Sequence, residues 1–316
     1  MDPAIVGFGL GVGLLVGMTG IGGGSLMTPL LILVFGIKPV TAVGTDLAYG
    51  AVTKTVGGWR HLRHGTVDMS LSMWMAVGSV PAAIGGVYVL ELLERAYGDE
   101  FDSILIVVLA ITLLFTGVMT LARALFMKAL LDKERDSVEM TRRNKISAVV
   151  LGATVGFVLG VTSAGSGALI AVGLILLFKL VPRRVVGTDI FHAAILLWAA
   201  AMAHLVAGNV DFSLAANILI GSLPGVWIGS NLSVRVPSGV LRATLALVLI
   251  GAGLALLTKA GAGIPGLVIA AFPAAIAVLV IGVLVRDRRN GRSDETASSA
   301  IPVGREPPPA ESSSGP

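Results

Sequence analysis

The sequence predicts an all-α polytopic membrane protein built from two inverted-topology repeats, each a broken-helix hairpin followed by three transmembrane helices, with one extra C-terminal helix. Three observations lead there. Only 13% of the 316 residues are charged and 55% are hydrophobic, whereas a soluble domain carries about 25% charged residues; so few charges cannot cover a soluble surface. Apolar runs long enough to cross a ~30 Å hydrocarbon core recur with charged residues between them. The chain also matches itself at a fixed offset.

That offset is 143 residues. Gly17-Met18-Thr19-Gly20-Ile21-Gly22-Gly23-Gly24 lies over Gly160-Val161-Thr162-Ser163-Ala164-Gly165-Ser166-Gly167, Val43-Gly44-Thr45-Asp46 over Val186-Gly187-Thr188-Asp189, His61 over His204, and Val67-Asp68 over Val210-Asp211. Pro39 and Pro81 lie over Pro182 and Pro224. Apolar bias alone would not align Thr-Asp, His and two prolines at one offset, so the repeat reflects a duplicated unit.

The elements follow in order. Ala4–Met18 and Ser25–Phe35 are each too short to span comfortably, and a glycine-rich break separates them. They predict two half-helices that return to their starting side. Ile146–Val161 and Ala168–Leu177 repeat the pattern. Helices opening near Pro39 and Pro182 come next, the latter carrying the run Val185–Val206. The runs Ser70–Leu90, Ser103–Leu125, Ser213–Leu232 and Val240–Leu257 supply the remaining crossings, and Ile264–Val285 an extra one. The predicted boundaries are a first repeat at 1–126, a charged linker at 127–145, a second repeat at 146–258, an extra helix at 259–285 and a disordered cytoplasmic tail at 286–316. The chain start, Met1-Asp2-Pro3, lacks the positive region of a signal peptide, so the first apolar stretch is expected to be retained.

Basic residues near membrane segments stay on the cytoplasmic side. The linker, with Lys128, Lys133, Arg135, Arg142, Arg143 and Lys145, is therefore placed inside, as are Arg60 and Arg63 and the group Lys179, Arg183 and Arg184. The loops Glu91–Asp102 and Ala203–Asp211 lack a basic excess and are placed outside. Equivalent loops of the two repeats thus fall on opposite sides, and an odd number of crossings per repeat produces that inversion. The N-terminus is expected outside and the C-terminus in the cytoplasm of a cell-membrane protein. The net charge of +4 belongs to this orientation signal, so nucleic acid is not an expected partner; the lipid bilayer is.

The candidate site lies at the breaks. Unwound backbone at membrane depth is tolerated only where protein buries it or a wet cavity meets it. The helix after each break aims free N–H groups and partial positive charge into it. Two such ends near the midplane form an anion site, an arrangement used by inverted-repeat transporters. Candidate binding residues are Thr19, Gly22, Gly23, Gly24 and Ser25 in the first break and Thr162, Ser163, Gly165, Ser166 and Gly167 in the second, with Thr45 and Thr188 facing the substrate. The stripes Gly9, Gly13, Gly17 and Gly152, Gly156, Gly160 read instead as close helix packing.

Carboxylates inside a membrane helix are costly and point to function, so Asp46 and Asp189 are candidates for coupling or gating. Lys54, inside an apolar helix, could neutralise an anion, pair with Asp46, or snorkel to the cytoplasmic face. His61 and His204 are candidate proton-relay groups. With no cysteine and four histidines, neither thiol chemistry nor a structural metal site is expected. No P-loop lysine follows the glycines, no nucleophile–base cluster suggests an enzyme, and no cofactor is expected.

At these residues the sequence resembles the TauE/SafE family of membrane proteins, also called sulfite exporters. The likeness rests on Gly17-Met18-Thr19-Gly20-Ile21-Gly22-Gly23-Gly24-Ser25 with Pro29, on Val43-Gly44-Thr45-Asp46, and on their second-half echoes. It runs from about Val6 to Leu257. It implies a permease for sulfite, a sulfonate or another sulfur-containing organic anion. The second half departs from the first, with Ser166 in place of a glycine and Val172 in place of Pro29. The leading expectation is secondary transport of a small anion by alternating access, with a coupled proton or sodium ion. The alternative is a channel or a cation or metal carrier using Asp46 and Asp189, and a membrane scaffold is a third class.

Overall fold

The computed structural model describes residues 2–19, 24–126, 135–233, 238–263 and 265, all within one compact unit. The predicted extra helix Ile264–Val285 and the tail after it lie almost wholly outside the described residues. Among those residues the regular structure is helical: α1 (Pro3–Thr19), α2 (Gly24–Val34), α3 (Pro39–Arg63), α4 (Met69–Tyr97), α5 (Phe101–Phe126), α6 (Arg142–Thr162), α7 (Leu169–Phe178), α8 (Pro182–Val206), α9 (Phe212–Ser233) and α10 (Ser238–Lys259).

Six of these, α4, α5, α6, α8, α9 and α10, are long and apolar enough to cross a membrane. α3 has 25 residues, about 38 Å at 1.5 Å per residue; Asp46, Lys54, Arg60 and Arg63 make it more polar. Large apolar side chains such as Val56, Tyr88, Ile111, Trp198, Val206 and Trp227 stand exposed on the outside of the bundle. A solvent that accepts them must itself be apolar, so the chain is a multi-pass membrane protein.

Two boundaries differ from expectation. α4 continues past Leu90 to Tyr97, because Glu91 and Arg95 sit one helical turn apart and approach to 3.8 Å and helix-permissive residues follow. Gly98, at φ 52°, ends it. The predicted loop 91–102 is therefore mostly helix. α6 starts at Arg142 rather than Ile146, since Thr141 caps it by accepting the Asn144 N–H; the added turn is polar.

Helix pairing follows the repeat. α1 lies along α9, α4 along α6, α3 along α8 and α5 along α10. Each contact has a partner displaced by 143 residues in both members. Gly9 abuts the backbone of Ile218 as Gly152 abuts Met75; Gly13 meets Ser222 as Gly156 meets Ser79; Gly17 meets Val226 as Gly160 meets Ala83. The glycine stripes are thus the surfaces on which helices of different repeats touch backbone to backbone. This exchange is that of a two-fold axis between the repeats.

The equivalent helices run antiparallel. On α3 and α8, Gly50 touches Leu197 while Gly57 touches Ile190, so one number rises as the other falls. Gly117 against Ile250 and Gly253 against Leu114 give the same result for α5 and α10.

One end of the bundle gathers the basic segments. Arg184 donates to the carbonyls of Gly65 and Val67 and to Asp136, which Arg183 also holds. Arg135 exchanges backbone hydrogen bonds with Lys179 and Val181. Val138 N–H donates to Asp68 at the start of α4, and Lys145 of α6 lies over Trp74 of α4. The start of α6 and the end of α7 therefore reach the same strip, so this pair is a hairpin. In the first repeat, Phe8 of α1 packs edge-on against Phe35 just beyond α2, with centroids 5.0 Å apart, which closes the equivalent hairpin.

Candidate functional site

The start of α2 and the turn between α6 and α7 meet inside the bundle. α6 ends at Ser163, whose φ of 56° is left-handed, a conformation that costs a non-glycine residue roughly 1–3 kcal/mol. The backbone turns again at Gly165, φ 100°, and α7 begins at Leu169. Residues 20–23 lie outside the described residues, so Gly22 and Gly23 cannot be placed; Thr19 ends α1 and Gly24 begins α2.

Asp46, fully buried eight residues into α3, receives both strands of this meeting. Its Oδ2 accepts from Thr28 Oγ1 of α2 at 2.6 Å and from Ser163 Oγ at 2.8 Å. Its Oδ1 has no hydrogen-bond partner. Ser25 Oγ, in the first turn of α2, accepts the Gly165 N–H at 3.1 Å. Ser25, Asp46, Ser163 and Gly165 thus come together as one buried polar centre, and Ser166 is buried next to it in the chain. Thr162 caps its own segment, donating to Val158 O and accepting from Ala164 N–H. Thr28 is a partner that sequence reasoning missed. So is Thr116 of α5, whose buried, unpartnered hydroxyl is near the space beside Gly165. Hydroxyls in apolar helices stand out in a sequence only once their neighbours are known.

Thr45 and Thr188 are fully buried and hold helix starts. Thr45 Oγ1 accepts the Asp211 N–H at 3.0 Å; Thr188 Oγ1 accepts the Asp68 N–H at 2.9 Å. Asp211 and Asp68 in turn accept from Leu214 and Leu71, capping α9 and α4. The repeated Thr thus ties each repeat to the other's helix start.

Asp189 lies elsewhere. The contact of Gly57 with Ile190 sets Asp189 level with about residue 58 of α3, twelve residues beyond Asp46, or roughly 18 Å along the axis. By the same contacts Lys54, eight residues from Asp46, falls level with about residue 193 of α8, one turn from Asp189, on the face of α3 that carries Gly50, Gly57 and Gly58. His192 Nδ1 is 3.3 Å from Ser72 O. His61 and His204 occupy the last turns of α3 and α8, at opposite ends of that antiparallel pair. His61 contacts Thr66 at 3.0 Å and His204 contacts Asn209 at 3.4 Å and Gly160 O at 2.9 Å. Both bracket helix ends, and neither touches Asp46.

Two pairs of shorter helices, α1 with α2 and α6 with α7, meeting at Asp46 inside a bundle with an apolar outer face make this a multi-pass membrane protein with a buried polar centre. The chain belongs to the family described as sulfite exporter TauE/SafE, which matches residues 5–256. Three Bacillus subtilis (strain 168) proteins are similar over nearly their full lengths. Probable membrane transporter protein YjnA is 40% identical over 78% of this chain and 96% of its own. Probable membrane transporter protein YdhB is 29% identical over 75% and 92%. Probable membrane transporter protein YunE is 22% identical over 77% and 91%. No solved structure matches the chain.

Proposed function

We propose that the chain is a secondary active carrier of a small anion, namely sulfite, a sulfonate or another sulfur-containing organic anion, working by alternating access in the cell membrane. The observation that carries this reading is the meeting of α2 and the α6–α7 turn at Asp46. The starts of α2 and α7 supply N–H groups and hydroxyls at membrane depth, the donors an oxyanion needs. An ionised Asp46 would repel that anion, whereas a protonated Asp46 would accept it and offer a hydrogen bond. A proton bound with the anion and released after it would couple the two.

The antiparallel run of equivalent helices supports opposite orientations of the two repeats in the bilayer. The end that gathers Arg63, Arg135, Lys179, Arg183 and Arg184 is assigned to the cytoplasm by its charge, with the N-terminus outside.

Flux into proteoliposomes tests the reading. Saturable uptake of sulfite or methanesulfonate, driven by an imposed proton gradient, is expected. Uptake of sodium or another cation with no anion flux across the panel would move the assignment to a cation carrier at Asp46. No saturable flux of either kind would remove the carrier reading.

A further inference from the structure

The two aspartates occupy equivalent places in the repeats and have opposite surroundings. Asp46 is held by the hydroxyls of Thr28 and Ser163. At the offset of 143 these positions carry Ala171 and Gly20, so Asp189 lacks both donors. In their stead Lys54, on the facing side of α3, comes level with the next turn of α8. Lys54 itself corresponds to Leu197, so the ammonium has no counterpart in the other repeat.

The cluster is incompletely satisfied. Lys54 and Asp189 are each 7% exposed. Lys54 Nζ, Asp189 Oδ1, Arg123 Nε, His192 Nε2 and Ser72 Oγ are buried atoms without a hydrogen-bond partner. No ion pair within 4.0 Å joins Lys54 to Asp189 among the described residues. These five atoms belong to α3, α4, α5 and α8. Unpartnered buried polar groups are rare in proteins and each calls for an occupant or a role. A buried lysine whose ammonium has no partner among the described residues leaves positive charge uncompensated at membrane depth, and an anion would balance it.

The position fits passage. Arg123 lies in the last turn of α5, Ser72 in the first turn of α4, and Asp189 two turns into α8. All three lie toward the end where the linker and the basic turns gather. Asp46 and the α6–α7 turn are farther in.

We propose that Lys54 is a second anion-holding point in the half of the bundle nearer the linker, and that Asp189 is its resident counter-ion, displaced when the substrate anion arrives. This rests on the anion-carrier reading above and assigns the charge within it. The Asp46 centre supplies neutral donors and an acid, and the Lys54 centre supplies the countercharge. Asp189 is then a competitor of the substrate, and its strength sets how readily an anion enters or leaves from that side.

Full-length protein purified in detergent, titrated with sulfite by calorimetry and checked by thermal stabilisation, tests this. Lys54→Gln is expected to weaken sulfite binding about ten- to hundred-fold, the scale of one lost charge-assisted hydrogen bond. Asp189→Asn, which frees Lys54, is expected to tighten it several-fold. The pair Lys54→Gln/Asp189→Asn leaves no carboxylate to strand, so it is expected to fold as the wild type while still binding sulfite at least ten-fold more weakly. A paired variant with wild-type affinity would mean that Lys54 only neutralises Asp189, and it would overturn the inference while leaving the carrier reading standing. Unchanged or weaker binding in Asp189→Asn would overturn it too, even if both Lys54 variants failed to fold. A wild type that binds neither sulfite nor methanesulfonate would overturn the carrier reading and this inference together.

Discussion

Replacing Gly13 by alanine is the sharpest test of the packing between the repeats. A Cβ at Gly13 would lie 2.7 Å from Ser222 Cα and 2.9 Å from its carbonyl carbon. Carbon atoms in contact sit about 3.5–4.0 Å apart, so α1 and α9 would have to separate by roughly 0.8 Å. They cannot separate at that point alone, because Gly9 and Gly17 hold α1 to the backbone of α9 one turn to either side. Overpacking of this kind costs about 1–3 kcal/mol. Gly11, on the same helix, has nothing within 4 Å of its Cβ position. There alanine should be neutral or stabilise by up to about 1 kcal/mol, through the lower backbone entropy of the unfolded chain. Two changes of the same kind, two residues apart, should therefore differ by at least about 1 kcal/mol. Gly156→Ala, the counterpart of Gly13→Ala, should cost the same within about 0.5 kcal/mol, and the double change should be near additive. Unfolding in mixed micelles with increasing dodecyl sulfate, followed by far-UV circular dichroism, gives the free energies. Equal effects at Gly11 and Gly13, or a large cost at Gly13 with none at Gly156, would refute the reasoning.

Other outcomes follow from the same structure. Thr188→Val should strand the buried Asp68 N–H and cost about 1–3 kcal/mol, and Thr45→Val should have a similar effect at Asp211, both read in the same unfolding assay. Asp46→Asn keeps the shape of the side chain and removes its titration; exchange of labelled sulfite across proteoliposomes should continue while uphill accumulation on a proton gradient stops. The hydrogen bonds from Arg184 and Arg183 hold the Asp136 carboxyl down at about 2. The linker contact it makes should therefore be fully present above about pH 4 and lost as the pH falls through 2. Hydrogen exchange at the Arg135 and Val181 amides should show that loss, and Asp136→Asn should show it already at neutral pH.

Much of this was legible in the sequence, because the duplication makes each half annotate the other. The break, the proline at each third helix and the glycine stripes recur at one offset, and those recurrences locate the hairpins and the surfaces that touch. The contacts of Thr45 and Thr188 were not legible. Both sit beside a carboxylate that draws attention, while their actual partners are backbone amides more than a hundred residues away. Lys54 was legible as an anomaly but not in its neighbourhood: Asp46 shares its helix, whereas Asp189 comes within a turn of its level only because α8 runs antiparallel beside α3. Thr28 and Thr116 carried no signal, since a threonine in an apolar helix usually bonds its own backbone, as Thr112 and Thr120 do. Arg123 reads as the charged end of an apolar run until the helix around it is seen to carry it inward.

The glycine contact between α1 and α9 also sets a timetable. The ribosome completes α1 at Thr19 and reaches Phe212 only 193 residues later. At about 5–20 residues per second, α1 waits roughly 10–40 s for the surface it is shaped to meet. It can wait, because no residue from Pro3 to Thr19 carries a charge and lipid can cover its bare glycine face until protein replaces it. The two-fold arrangement delays assembly to the end of synthesis: α6 finds α4 already made, but α1 finds its counterpart only when the second copy is nearly complete. A chain interrupted before α9 would therefore leave in the bilayer a helix with an open, backbone-exposing groove, the kind of surface by which a quality-control protease could tell an unfinished molecule from a finished one.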